Sequence, residues 1–190
     1  TIDGHSQSGW SSAPIVELNG AGTAAGVSGL TVQAANTTVR GLVINRFPSY
    51  GVALIAGANG SAIESSYLGT NAAGTAASAN QVGGIYIGGA SQVRIGGNGA
   101  SQRNVISGNG PGNVSTELTG GIVINGAATG IVIAGNYLGL GADGTTPVAN
   151  SKNNLSISGG AAVTVGGSTS AARNLVSSSP SHGVMVMSNG

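Results

Sequence analysis

The feature that most limits what this chain can fold into is a repeat with a fixed period. Ser66-Tyr67-Leu68-Gly69-Thr70 returns 70 residues later as Asn136-Tyr137-Leu138-Gly139-Leu140. Ile95-Gly96-Gly97 returns as Val165-Gly166-Gly167, and Arg103-Asn104-Val105-Ile106-Ser107 as Arg173-Asn174-Leu175-Val176-Ser177, at the same offset of 70. Three separate blocks at one offset point to stacked units, each burying its apolar face only against its neighbours.

A shorter unit lies inside this period. It opens with a small residue and an alternating triplet at Gly29-Leu30-Thr31-Val32, Gly51-Val52-Ala53-Leu54, Gly84-Ile85-Tyr86-Ile87, Gly121-Ile122-Val123-Ile124, Asn154-Leu155-Ser156-Ile157 and Gly183-Val184-Met185-Val186. The starts are 22, 33, 37, 33 and 29 residues apart. A bare coil of such a stack needs only about 22 residues, so the excess reads as external loops.

Two further period-two segments follow each opening strand. The second supplies Ile63, Val93 with Ile95, Ile131 with Ile133, and Val163 with Val165. The third supplies Leu42-Val43-Ile44, Ser66-Tyr67-Leu68, Asn104-Val105-Ile106, Asn136-Tyr137-Leu138 and Asn174-Leu175-Val176. Alternate side chains of a strand face opposite sides, so the inward Ile, Leu and Val form ladders with rungs about 4.8 Å apart. The expected fold is all-β: a right-handed, single-stranded parallel β-helix with three short strands per coil, spanning 1–190 as one segment of a longer solenoid. Ile85, Ile122, Leu155 and Val184 should share one inward ladder. Asn104, Asn136 and Asn174 should occupy one inward corner as a structural ladder of stacked amides, with Leu42 and Ser66 interrupting the series.

Composition agrees with strands and turns. Charged residues make up 6% of the chain, 36 residues are glycine, and 40% are hydrophobic. Helices would need far more Lys, Glu and Arg on their outer faces. The net charge of +1 offers no basic stripe for phosphates, so no nucleic-acid partner is expected. There are no cysteines for disulfides or thiolate metal sites. No apolar run is long enough to cross a membrane as a helix, and Thr1-Ile2-Asp3-Gly4 does not read as a signal peptide.

Thr1-Ile2-Asp3-Gly4, Pro14-Ile15-Val16-Glu17-Leu18-Asn19-Gly20 and Val39-Arg40-Gly41-Leu42-Val43-Ile44-Asn45-Arg46-Phe47, with the blocks around Tyr67-Leu68-Gly69-Thr70 and Arg103 to Asn109, resemble the parallel β-helix repeat proteins. The resemblance covers essentially the whole chain. It implies a pectate-lyase-like solenoid from an exported bacterial protein, hence an extracellular or cell-surface location. It implies no single activity, because function resides in sites carried by a fold.

Lyases of that fold hold calcium with clustered aspartates and use an arginine as base, and the related hydrolases use grouped aspartates. This chain has only Asp3, Glu17, Glu64, Glu117 and Asp143, whereas ordinary glycoside hydrolysis needs two carboxylates about 5 to 9.5 Å apart. Aligning Gly41 with Ser65 sets Glu64 beside Arg40 on the adjacent coil, as an ion-pair rung. Glu117 falls in a long loop. Gly141-Ala142-Asp143-Gly144-Thr145 resembles a fragment of a calcium loop without its alternating acids or its closing glutamate. No cofactor is expected, with calcium at Asp143 the alternative. His5 and His182 lie at opposite ends of the stack and cannot share a site. No catalytic residue is assigned.

The outward line of the third strands, Val43, Tyr67, Val105, Tyr137 and Leu175, is apolar where water is expected. Either the loops Asn71 to Gln81 and Asp143 to Lys152 fold back over it, or Tyr67, Val105 and Tyr137 form a binding platform. The two tyrosines would then stand about 9.6 Å apart, two coils, and offer their faces to sugar rings or a partner chain. The outward row of the first strands, Thr31, Ala53, Tyr86, Val123, Ser156 and Met185, lacks the regular threonines of an ice-binding face. The sequence therefore favours a non-catalytic surface or secreted module: a structural spacer, or an adhesin-like or filament-forming segment. Its expected partners are further coils or other copies of the solenoid, and polysaccharide. The alternative is a carbohydrate-active enzyme, lyase or hydrolase, or a glycan-binding module.

Overall fold

The structure is a computed structural model that describes residues 1–112, 118–159 and 162–188. Its strands form three parallel sheets of six. The first sheet contains Leu30–Val32, Tyr50–Ile55, Gly83–Gly88, Gly120–Asn125, Asn153–Ser158 and Val184–Met187. The second contains Ile2–Asp3, Thr38–Arg40, Ala62–Glu64, Arg94–Gly96, Thr129–Ala134 and Ala162–Val165. The third contains Val16–Asn19, Leu42–Asn45, Tyr67–Leu68, Val105–Ile106, Tyr137–Leu138 and Leu175–Val176.

The chain visits the second, third and first sheets in turn, six times, so each strand pairs with its equivalent one coil away. This is a parallel β-helix with three strands per coil. Crossovers between parallel strands of one sheet are almost always right-handed.

Register follows the apolar pattern. Leu30, Val52, Ile85, Ile122, Leu155 and Val184 are consecutive partners in the first sheet. Ile63, Ile95, Ile133 and Val165 are partners in the second. Ile44, Leu68, Ile106, Leu138 and Val176 are partners in the third. The middle rungs are fully buried, and burying each such side chain contributes about 1.5–3 kcal/mol. A slip of one residue would turn a whole strand's apolar set outward, so these ladders fix the register. Val184 keeps its place above Leu155 but is 45% exposed, because no described rung lies above it.

Polar ladders run beside the apolar ones. Asn104 Nδ2 donates to Asn136 Oδ1 at 2.9 Å, and Asn136 Nδ2 donates to Asn174 Oδ1 at 3.1 Å. Each amide also donates to a second-strand carbonyl of the preceding coil: Ile63, Ile95 and Ile133 respectively. Ser66 interrupts the amide series but stays in the network, since its hydroxyl accepts from the Leu42 N–H and its own N–H donates to Asn104 Oδ1.

A second asparagine ladder lies where the third sheet turns into the first. Asn80 Nδ2 donates to Asn109 Oδ1 at 3.0 Å, Asn109 Nδ2 to Asn150 Oδ1 at 3.2 Å, and Asn150 Nδ2 to Asn154 Oδ1 at 2.7 Å. All four are fully buried. Buried amides persist only when paired, and here each rung supplies the next rung's partner.

Candidate functional site

The outward line of the third sheet is in register from Val43 through Tyr67, Val105 and Tyr137 to Leu175. Val43 and Val105 are buried, whereas Tyr67 and Tyr137 are half-buried. Two short hairpin loops provide the cover. Thr70 bridges to Ala77 in one and Leu140 to Pro147 in the other, each antiparallel. The Ala142 N–H donates to the Gly74 carbonyl at 2.8 Å, which stacks one loop on the other.

Gly74 lies against Tyr67, and Gly144 lies against Tyr137. A Cβ on Gly144 would sit 2.7 Å from the Tyr137 ring, and its φ of +71° belongs to the region that suits glycine. Burial under this cover raises the pKa of the Tyr67 hydroxyl.

The cover is incomplete toward the second sheet. There a groove of about 370 Å³ is lined by Trp10, Tyr67, Val105 and Arg103, with Ser65 and Ser101. Trp10 comes from the loop after Ile2–Asp3, and the His5 ring stacks on its indole with centroids 4.1 Å apart. The Trp10 backbone N–H closes a turn on the Gln7 carbonyl at 3.1 Å. Arg103 follows the short 3₁₀ turn Ala100–Gln102. Its Nε donates to the Gly135 carbonyl at 3.0 Å, and its guanidinium carbon lies 4.4 Å from the Tyr137 ring centre. Of the three residues expected to form a platform, Tyr67 and Val105 line the groove. Tyr137 backs Arg103 instead of facing the opening.

Among the described residues, no carboxylate lines this groove. Arg40 Nε and Nη2 donate to Asp3 Oδ1 at 2.9 Å and Oδ2 at 2.7 Å. That guanidinium holds the Asp3 carboxyl at about 2, against an ordinary 3.8. Glu64 Oε2 accepts from Arg94 Nη2 at 2.8 Å and from Gln102 Nε2 at 3.0 Å. Glu17 Oε1 accepts from Asn45 Nδ2 at 2.8 Å. Asp143 Oδ2 accepts from the Thr146 hydroxyl at 2.6 Å, and its Oδ1 accepts from the N–H groups of Thr145 and Thr146. These bonds lower its pKa. Glu117 lies outside the described residues.

The expected rung between Arg40 and Glu64 needs correction. The two residues are register partners on adjacent coils, but Arg40 turns to Asp3 and Glu64 takes Arg94 from the following coil. Arg40 stands in register between Asp3 and Glu64 and takes Asp3, while Glu64 reaches two residues along the strand to Arg94, so backbone register alone does not choose the ion pair. Among the described residues, no group of three or more His, Cys, Asp and Glu could hold a metal ion. No helix among them is long and apolar enough to cross a membrane. Compared with protein-family models, curated proteins and solved structures, the chain matches none.

Trp10, Arg103, Ser65 and Ser101 were not expected at the site. Arg103 did carry a signal, since it recurs as Arg173 at the 70-residue offset. Trp10 carried none, because it precedes the first repeated block and is the chain's only tryptophan.

Proposed function

We propose that this chain is a non-catalytic β-helix module of a surface or secreted protein, a rigid stack that presents loops and a groove for contact. The observation that carries this reading is the placement of the carboxylates. Asp3, Glu17, Glu64 and Asp143 are each bonded to coil or loop groups, and none lines the groove. General acid and base work needs a carboxylate within hydrogen-bond reach of a bound substrate. Glycoside hydrolysis needs two.

The second reading, a glycan-binding module, is favoured by the groove itself, which combines aromatic faces with hydroxyls and a guanidinium. Further coils or other copies of the solenoid are the second class of proposed partner, at the outermost rungs where Val184 and Val186 are exposed. The extracellular or surface location rests on the family resemblance alone.

The test is turnover. The protein is incubated with polygalacturonate and alginate, with and without calcium, and assayed for unsaturated products and new reducing ends. No product above the buffer control is expected. Steady product release that disappears in Asp143→Asn or Glu64→Gln would overturn the reading.

A further inference from the structure

We propose that the groove between Trp10 and Arg103 binds a sugar ring carrying an oxyanion, a carboxylate or a sulfate, without cleaving it. The inference rests on the glycan-binding reading and adds the site and the charge of its ligand.

The walls are set before any ligand arrives. Trp10 is held by its stack on His5 and by the turn to Gln7, while Tyr67 is backed by the loop that carries Gly74. Two aromatic side chains on the lining suit the apolar C–H face of a pyranose, and the Ser65 and Ser101 hydroxyls on the same lining suit its polar rim. The groove's volume of about 370 Å³ is that of a small-ligand site.

Arg103 supplies the charge selectivity. Arg40 and Arg94 are each neutralised by a carboxylate on a neighbouring coil. Arg103 spends its Nε on the Gly135 carbonyl and its face on Tyr137, and it has no carboxylate partner among the described residues. Held through Nε and its face, Arg103 brings its two Nη groups to a groove that no acid lines among the described residues. A planar guanidinium fork matches two oxygens of a carboxylate or sulfate with two parallel N–H bonds. Because both anions share this chemistry, the experiment uses one of each.

The single tryptophan of the chain lines the site, so its emission reports occupancy directly. The full chain is titrated with methyl glucuronide, glucose 6-sulfate and neutral methyl glucoside, while Trp10 fluorescence is recorded. Saturable changes are expected with at least one anion, with an affinity at least about tenfold above that for the glucoside. Arg103→Gln should remove that advantage. Arg173→Gln, at the equivalent position one repeat on, should keep it.

Raising the salt concentration should weaken the anion's binding to the unmodified chain, a readout that needs no variant. Equal binding of the neutral glucoside would overturn the charge inference and leave glycan binding standing. No saturable change with any of the three would remove both. Anion binding unchanged in Arg103→Gln would place the ligand elsewhere and also overturn the proposal.

Discussion

The Arg103 guanidinium carbon lies 4.4 Å from the centre of the Tyr137 ring on the next coil, over the face of the aromatic system. This contact turns what would be a second aromatic platform into a support for a cation. At a partly exposed site such a pair contributes about 0.5–1 kcal/mol. A double-mutant cycle of Arg103→Gln and Tyr137→Leu, read by urea unfolding, should return a coupling of about that size. A coupling indistinguishable from zero would mean that the contact does not position Arg103.

Asn136 sits mid-ladder, giving its amide to Ile95, Ala134 and Asn174 and accepting from Asn104. Asn136→Ala would orphan several buried groups at once, at a cost of about 2–4 kcal/mol. Asn136→Ser should cost less, because Ser66 already serves in the same column by accepting from one coil and bonding within its own. Equal melting temperatures for the alanine and serine variants would contradict the ladder account.

Gly144 and Gly126 both have positive φ, but Gly144 faces the Tyr137 ring while nothing lies within 4 Å of a Cβ on Gly126. Gly126→Ala should cost only the backbone term, about 1–2 kcal/mol. Gly144→Ala adds a displaced ring and should cost more, and it should also perturb the environment of Tyr137. Equal costs in urea unfolding would mean that the loop does not rest on the tyrosine.

Acid should weaken the tie between the first two coils. Asp3 is bonded by Arg40 and titrates at about 2 when folded, against an ordinary 3.8. The unfolded chain therefore takes up this proton first, so the contribution is fully present above about pH 4 and is lost as pH falls through about 2. Melting temperatures between about pH 5 and about pH 2 should fall less steeply for Asp3→Asn than for the unmodified chain, and more salt should shrink the difference. Parallel curves would remove Asp3 from the account.

The coil register was legible in the sequence because a period-two strand has one apolar set, and Ile85, Ile122 and Leu155 align only one way. The ladder of Asn104, Asn136 and Asn174 was legible for the same reason, each residue opening a recognisable third strand. The ladder through Asn80, Asn109, Asn150 and Asn154 was not, since its members lie mostly in connections of unequal length and do not occupy one strand position. Only Asn80 and Asn150 share the 70-residue offset. The groove was half legible: Tyr67 and Val105 lie on the repeat, whereas Trp10 arrives from a loop with no repeated counterpart. Side-chain reach was not legible, and so Glu64 found Arg94 and not Arg40.

Asp3, Glu17 and Glu64 each tie one coil to a neighbour and, on the proposed function, do no chemistry. Glu64, buried between Arg94 and Gln102, gives the sharpest test when melting temperature and polysaccharide turnover are measured side by side for the unmodified chain and Glu64→Gln. Losing the charged partner should cost about 1–2 kcal/mol, which for a chain of this size lowers the melting temperature by roughly 2–8 °C, with no turnover in either protein. Turnover by the unmodified chain that vanishes in Glu64→Gln while the melting temperature stays the same would contradict the account.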